Sequence, residues 1–307
     1  MTLRFVKRNI FGFLLGIIFC SFTVVLAESI NSNEVLYDNS NSKTSYDNVQ
    51  DVLDNLYNIY DHIGVGFSLL TRNPSDLSTE LIDGLYRYQG IQNVNNNVDN
   101  YICFGTTSKS TCINDTNKYM YRIIGINTSG QMKLIKKEAL NTSYQWNSST
   151  GVEWYSSDLY NGLNGNYFLT NTTYIPDNTW SNRIVLTDWH YFSIASRTLT
   201  NIGEQELAAP SISAKIGLMY LHDIQDANSW INMENNDTNA PQSKEWLITR
   251  WDYRYIFVAS PNGVVTYADM TVGNMINSYS VRPVFFLNSN ERIASGSGTI
   301  TDPYILS

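Results

Sequence analysis

Histidine, cysteine and charged residues are scarce in this chain of 307 residues. Charged residues make up 16%, and the formal net charge of -8 disfavours a nucleic-acid partner, because such binding depends on basic patches that neutralise phosphates. The three histidines, His62, His190 and His222, stand in no motif with a serine or cysteine nucleophile. The sequence therefore carries no signature of a hydrolytic triad. What it has instead is uncharged polar residues and 21 tyrosines.

The N-terminus has the features of a secretory signal. Three basic residues lie within the first eight, and the almost entirely apolar run 10–27 ends in small residues, so residues 1–27 are predicted to be a cleaved signal peptide. An uncleaved anchor is the alternative, because the run is close to the minimum of about 18 residues that spans a membrane. We expect the protein to be extracytoplasmic, secreted or at the cell surface, with any membrane contact made through this segment.

Cysteine is reduced to one pair once the predicted signal peptide, which contains Cys20, is removed. Cys103 and Cys112 frame a short polar loop, and in an exported chain such a pair is expected to form a disulfide. Closing so short a loop stabilises a fold by roughly 2.5–3 kcal/mol in the chain-entropy treatment. A metal site is not expected, since no second cysteine pair or nearby histidine completes it. A redox pair usually has only two residues between its cysteines.

A linker with one short helix is predicted over residues 28–83. Residues 48–60 have helical periodicity, with the apolar residues on one face and the acidic residues opposite. A helix this short is marginal alone, so it must pack on the main domain or on copies of itself. The stretch resembles the neck helices that precede head domains in fibre and stalk proteins. Both docking within the chain and self-association through this neck helix remain open.

The main domain, predicted over residues 84–307, ends in four apolar runs: 246–248, 255–259, 264–267 and 281–287. Pro261 and Gly263 lie between the second and third runs and predict a β-hairpin with a four-residue turn. The fourth run is apolar on both alternating faces, which is typical of a central strand, and Pro283 is expected near its start or at a bulge. We expect the four runs to close one sheet.

Two further elements are predicted upstream. Residues 119–126 and 131–135 are strand-like and are joined by a turn at 127–130, which indicates a second hairpin. Ser157 is positioned to cap a short helix that ends near Gly165. The stretch 212–221 is apolar but could be either strand or helix.

The sequence resembles the C-type-lectin-like domains on the motif Trp246, Pro261-Asn262-Gly263, then Ser280-Val281-Arg282-Pro283-Val284. Further matches lie at 121–126, 154–159, 215–219, 298–299 and 302–304, so the resemblance covers about 84–306. More narrowly, the sequence resembles a family of secreted bacterial domains that are similar in fold to formylglycine-generating enzymes and phage tropism determinants. The resemblance implies an α+β domain of C-type-lectin-like type. The enzymatic relatives use a reactive cysteine pair late in the domain, and this chain has no cysteine after Cys112, which disfavours that activity.

Arg282 is the one charged residue in the last apolar run. Alternation would place it on a face with Val284 and Phe286, where a guanidinium needs a carboxylate or several carbonyls. We predict a structural role for Arg282, with a ligand-contacting guanidinium as the alternative. The sequence does not identify its partner.

Aromatic and basic residues crowd the segment 246–255, and this crowding is the main binding signal in the sequence. If the segment is extended, alternation places three of the aromatic rings on one face, where they could stack on sugar rings or contact a protein. Buried, the same residues would be ordinary core. The candidate ligand-binding residues are Trp246, Arg250, Trp251, Tyr253, Arg254 and Tyr255.

A calcium site is a weaker hypothesis, and no other cofactor is expected. Asp223, Asp226, Glu234 and Asp237 are spread over a predicted polar loop at 223–243, and Ca²⁺ prefers several oxygen ligands of this kind. A solvated asparagine-rich loop is the competing interpretation.

Asp188 and His190 stand two residues apart and suggest an enzyme with an unfamiliar site. The competing interpretation is an aromatic segment of surface or core. Because no nucleophile motif accompanies the pair, the sequence predicts a non-catalytic, surface-associated binding module that recognises a surface glycan or a protein. The alternatives are an enzyme built on Asp188 and His190, and a structural stalk tip.

Overall fold

The computed structural model describes residues 66, 69–70, 76–89, 98–148, 153–191, 200–232, 244–270 and 277–307. All of them belong to the second of the two units into which the chain divides, Met1–His62 and Ile63–Ser307. The predicted signal peptide 1–27 and neck helix 48–60 lie outside the described residues. Among the described residues, none of the helices has the length and apolar character needed to span a bilayer.

The described elements are mostly strands, with short helices between them, so the predicted α+β class is confirmed. The strands are β1 Leu85–Arg87, β2 Tyr101–Cys103, β3 Met120–Asn127, β4 Met132–Lys136, β5 Tyr144–Gln145, β6 Thr187–His190, β7 Ser211–Ala214, β8 Ile216–Gly217, β9 Glu245–Arg250, β10 Tyr255–Ala259, β11 Val265–Asp269, β12 Ser278–Tyr279, β13 Val284–Leu287, β14 Ile293–Ser295 and β15 Tyr304–Leu306. The α-helices with both ends described are α1 Lys109–Asn114, α2 Thr116–Tyr119, α3 Asp158–Leu163, α4 Asn178–Arg183, α5 Ile202–Leu207 and α6 Leu221–Ala227, and 3-10 turns cover Trp154–Ser156 and Asn228–Ile231.

The main sheet has the strand order β14-β15-β2-β3-β4-β13-β8, with β1 paired to β3 off this path. The predicted second hairpin is confirmed as β3 and β4, which are antiparallel. Its turn is closed by a hydrogen bond from Asn127 N to Gln131 O of 3.0 Å, and Gly130 has a φ of +80°, a region that glycine enters without strain. Nearly every residue of β3 is buried, so this strand lies at the centre of the core.

Strand β13 is internal to the main sheet, as the doubly apolar run predicted. It pairs antiparallel with β4 on one side and with β8 on the other. The strand begins at Val284, three residues later than the run suggested, and Pro283 stands immediately before it. Because Pro283 precedes the strand, its missing N–H removes no hydrogen bond from the β13 ladder.

The expectation of one closing sheet is wrong. β9, β10 and β11 form a separate three-stranded sheet, and the predicted hairpin is confirmed as β10 and β11. The segment between β12 and β13 contacts β9 at Ser280, whose backbone bonds to Lys244 and Trp246. Because β4 and β8 occupy both edges of β13, the hairpin cannot pair with β13.

Two core regions surround the main sheet. The larger contains an aromatic cluster in which the ring of Phe104 lies 5.0 Å from Phe285, 5.1 Å from Trp180 and 5.7 Å from Tyr121. The smaller contains the disulfide between Cys103 and Cys112, which ties β2 to α1 with a Cα–Cα distance of 6.0 Å. The predicted cysteine pairing is therefore confirmed.

The local predictions between the two hairpins are resolved by the structure. The Ser157 side chain caps α3 by accepting a hydrogen bond of 3.0 Å from Tyr160 N. The ambiguous stretch 212–221 divides into β7, β8 and the first residue of α6. The predicted polar loop at 223–243 is wrong at its start, because Leu221–Ala227 is helical and packs its apolar side into the core.

Candidate functional site

Two of the candidate ligand-binding residues belong to the interior, which corrects the sequence hypothesis. Trp246 is buried, packs its ring 4.7 Å from that of Tyr279, and donates from Nε1 to Tyr144 O at 2.8 Å. Arg250 is also buried and binds Glu153 through a 2.8 Å ion pair. Both residues belong to β9, and every residue of this strand is buried.

The segment after β9 is not extended, so the strand alternation assumed for its aromatic residues does not apply. β9 ends at Arg250, and residues 251–254 form a bend before β10 begins. Trp251 is half-buried, with its ring 5.7 Å from Phe257. Tyr253 projects from the bend and is 82% exposed. A tyrosine this exposed makes little contribution to the core.

The hairpin brings a second tyrosine beside this bend. Tyr267 lies opposite Phe257 in the β10–β11 register, on the face that also carries Tyr255. The rings of Tyr255 and Tyr267 are 4.8 Å apart, and Tyr267 is 58% exposed. Sequence reasoning missed Tyr267, although the predicted hairpin turn could have identified it through its cross-strand register.

An ion pair between Arg254 and Asp269 stabilises the edge of this face. Arg254 donates from Nε and Nη2 to the two carboxylate oxygens of Asp269 at 3.0 and 2.8 Å. The paired geometry holds the guanidinium plane in a fixed orientation. We call this set of exposed and half-buried residues the hairpin surface; its members are Tyr253, Arg254, Tyr255, Val264 and Tyr267.

The calcium hypothesis is contradicted at Asp223. Its carboxylate is completely buried and accepts from Arg87 Nη1 at 2.8 Å, from Lys133 Nζ at 2.6 Å and from Tyr220 N at 2.9 Å. Asp226 also turns toward Arg87, with 3.4 Å between Oδ2 and Nε. Both oxygens of Asp223 are therefore occupied by protein donors.

The charges around Asp223 determine its ionisation. Burial alone would raise the pKa of Asp223, but the Lys133 and Arg87 charges outweigh it and hold that pKa well below its ordinary value. Burial in turn lowers the pKa of Lys133, against the opposing effect of Asp223. Glu234 and Asp237, the other calcium candidates, lie outside the described residues. Within the described ranges, no group of three or more His, Cys, Asp or Glu side chains is placed to hold a metal ion.

Asp188 and His190 line a cavity of about 230 Å³ whose floor includes Lys133, Tyr220 and His222. The side chains of Asp188 and His190 form hydrogen bonds with different partners. Asp188 accepts from the hydroxyl of Ser213, and His190 Nδ1 lies 2.6 Å from the carbonyl oxygen of Ala209. An imidazole whose Nδ1–H donates to a backbone carbonyl is not oriented by Asp188, so this geometry does not favour a catalytic dyad.

A second buried network lies beneath that cavity. His222 Nδ1 donates to Glu206, which also accepts from the Thr249 hydroxyl and, at 3.1 Å, from Leu221 N. The imidazole stacks on Tyr220 with ring centroids 5.0 Å apart. Because Glu206 joins α5 to α6 and β9 through several donors, the arrangement is that of a structural tie between elements.

Arg282 has the surroundings that its predicted structural role requires. Arg282 is 3% exposed, and its guanidinium binds Glu245 through Nε at 2.8 Å and Nη2 at 2.6 Å. A third bond of 2.6 Å goes from Nη2 to Ile231 O. The partner that the sequence could not identify is therefore Glu245, at the start of β9.

No protein-family model, curated protein or solved structure matches the chain. The features of the described residues that bear on function are the hairpin surface, the cavities and the buried networks. Of these, the hairpin surface combines exposed side chains with a paired backbone, whereas the carboxylates of Asp223 and Glu206 in the buried networks accept from protein donors.

Proposed function

We propose that the protein is a non-catalytic, surface-associated binding module that recognises a surface glycan or a protein through the hairpin surface. The observation that carries the proposal is the exposure of Tyr253, at 82%, on the bend before β10, and of Tyr267, at 58%, on the fully paired β10–β11 hairpin. Large apolar rings held in water gain free energy when a partner covers them. Their exposure on a rigid element therefore supports a contact role.

The composition of the hairpin surface favours a protein partner over a glycan. Tyrosine and arginine are enriched at the energetic centres of protein interfaces, and Arg254 stands between the two exposed rings in sequence. Val264, at the turn, adds an exposed apolar side chain to the same hairpin. The β10–β11 pairing holds the backbone, so little conformational entropy is lost on binding.

Two further features of the proposal concern location and fold. An extracytoplasmic location is supported by the disulfide between Cys103 and Cys112, since such bonds persist in oxidising compartments. A C-type-lectin-like fold is supported by the mixed α+β composition and by the internal position of β13, which ends the motif that carried the resemblance.

The test uses the full chain and two surface variants. Tyr253→Ala and Tyr267→Ala, each with Arg254 retained, are compared with wild type in pull-downs from surface extracts and on a glycan array. We expect a captured protein to bind each variant at least about tenfold more weakly, because truncation of a central tyrosine typically removes 2 kcal/mol or more. Tyr155→Ala is the matched control, an exposed tyrosine outside the hairpin surface.

Three results would count against the proposal. These are capture of no partner by wild type, capture that is unchanged in both hairpin variants, or an equal loss in the Tyr155 control. Binding to array glycans alone, with the same dependence on Tyr253, would retain the binding module and replace the protein partner with a glycan.

A further inference from the structure

A groove of about 730 Å³ lies between the β5–β12 ribbon and helix α3. Its volume falls within the range of about 300–1,000 Å³ that is typical of small-molecule sites. Tyr144 and Gln145 enter it from β5, Asp158 and Asn161 from α3, and Asn166 and Tyr167 from the turn that follows α3. None of these residues belongs to the hairpin surface, so the groove is a separate feature of the molecule.

The apolar part of the groove is a pair of tyrosine rings. Tyr144 and Tyr167 have ring centroids 4.4 Å apart and planes inclined by 31°. The ring of Tyr167 lies directly on α3, at a position where a Cβ on Gly162 would overlap it. Glycine is therefore required at position 162 for the rings to meet. The pair forms an aromatic platform that exists before any ligand arrives.

The buried side chain of Trp246 supports the platform from the core. Trp246 donates from Nε1 to Tyr144 O at 2.8 Å and packs against Tyr279, the residue paired with Tyr144 across the ribbon. Trp246 is in the core and does not line the groove. This contact fixes the β5–β12 ribbon, and with it Tyr144, relative to the core.

The rest of the groove is polar and almost uncharged. The side chains of Asn161 and Asn166 are exposed at its rim. Of the groove-lining residues that the structure describes, Asp158 alone is charged, and its Oδ2 accepts from Ser148 N at 2.6 Å. The hydrogen bonds from Ser148 lower the pKa of Asp158, so the carboxylate is an ionised acceptor at neutral pH. Among the described residues that line the groove, there is no lysine or arginine.

We infer that this groove binds a neutral carbohydrate, with one sugar ring placed on the platform of Tyr144 and Tyr167. A pyranose ring has a face of C–H groups that packs on an aromatic ring and a rim of hydroxyls that both donate and accept. The amides of Asn161 and Asn166 bond hydroxyls in both senses, and Asp158 accepts from them. A lone carboxylate with no cation repels acidic sugars, so the ligand is neutral.

The experiment is a titration of the full chain with neutral and acidic trisaccharides. The neutral probes are mannotriose, cellotriose and N-acetylchitotriose, and the acidic probe is trigalacturonic acid, each followed by calorimetry and by saturation-transfer NMR. We expect at least one neutral probe to bind and the acidic probe not to bind. Saturation transfer to the C–H protons of one ring is the expected signature of the platform.

Variants then assign the binding to the groove. Asn161→Ala and Asn166→Ala remove exposed amides, so the fold is retained, and each is expected to weaken binding about three- to tenfold. Tyr167→Leu is expected to weaken it about tenfold or more. Tyr155→Leu is the matched control, an exposed tyrosine that does not line the groove, and is expected to leave the dissociation constant unchanged.

Each other outcome overturns the inference. No heat and no saturation transfer from any neutral probe at millimolar concentration would exclude a carbohydrate groove of this class. Tighter binding of the acidic probe would contradict the role of Asp158. Binding that both asparagine variants and Tyr167→Leu leave unchanged would place the sugar elsewhere on the protein. Folding of every variant is checked by its melting curve, and the asparagine variants decide the question if Tyr167→Leu is unstable.

Discussion

Replacing Arg282 with methionine removes the cation that neutralises Glu245 in the core. The substitution keeps the length and apolar stem of the side chain, so it leaves little empty volume. It deletes the two bonds to Glu245, of 2.8 and 2.6 Å, and the 2.6 Å bond to Ile231 O. The Glu245 side chain is 2% exposed, so water cannot replace the guanidinium without opening the structure.

The size of the effect follows from that burial. Removing one partner of a buried ion pair costs about 3–5 kcal/mol, because the other charge stays behind unpaired. For a unit of this size each kcal/mol lowers the melting temperature by about 2–4 °C, which gives a decrease of roughly 6–20 °C. Ligand binding by the molecules that remain folded should not change.

Thermal and denaturant unfolding of three variants tests this reasoning. The double variant Arg282→Met with Glu245→Leu is expected to be more stable than Arg282→Met alone, since replacing a whole buried pair by apolar residues is often neutral or stabilising. Arg254→Met, whose guanidinium is 41% exposed beside Asp269, is the matched control and should melt close to wild type. Unchanged melting of Arg282→Met with lost binding would place Arg282 in a ligand site. A double variant no more stable than the single one would show that the unpaired Glu245 is not the cause.

The other predictions concern the disulfide and the buried acid. Replacing both Cys103 and Cys112 with alanine should lower the free energy of unfolding by about 2.5–3 kcal/mol, and non-reduced wild type should show no alkylatable thiol at either position by mass spectrometry; two free thiols would contradict the bond. The lowered pKa of Asp223 means that its carboxylate stabilises the fold above its unfolded value of 3.8 and that this contribution is lost as the pH falls below it. Asp223→Asn should therefore be less stable than wild type at pH 7, with the difference shrinking on acidification, and a pH-independent difference would refute the assignment.

The elements that sequence reasoning recovered are those decided by neighbouring residues. Gly130 and Gly263, both with positive φ, mark the turns of the two hairpins, and Ser157 caps α3 through its own side chain. The pairing of Cys103 with Cys112 followed from the scarcity of cysteine, since Cys20 in the predicted signal peptide is the one other cysteine in the sequence. In each case the interacting groups lie within about ten residues of one another.

The errors arose where the chemical character of a side chain was known but its neighbours in the fold were not. Trp246 carries the same aromatic signal as Tyr253, yet one is buried against Tyr279 and the other is 82% exposed. Asp223 lies in a polar stretch of sequence, and only the approach of Arg87 and Lys133 from distant strands gives it buried partners. The residue type indicates whether a side chain favours burial or solvent, and the fold decides which neighbours it contacts.

By itself, the sequence determined the two hairpins, the disulfide and the internal character of the strand after Pro283, because turn chemistry, alternation and the scarcity of cysteine can be read without the fold, whereas the α+β class followed from a resemblance. Tertiary structure decided which sheet each strand joined, that Glu245 would neutralise Arg282 from 37 residues away, and that Tyr144 and Tyr167 would meet over Gly162. Alternation in the sequence indicates which face of a strand is buried, but it does not identify the neighbouring strand in the sheet. Those pairings depend on the packing of the whole chain, in which hydrogen-bonding edges and buried charges must all find partners at once.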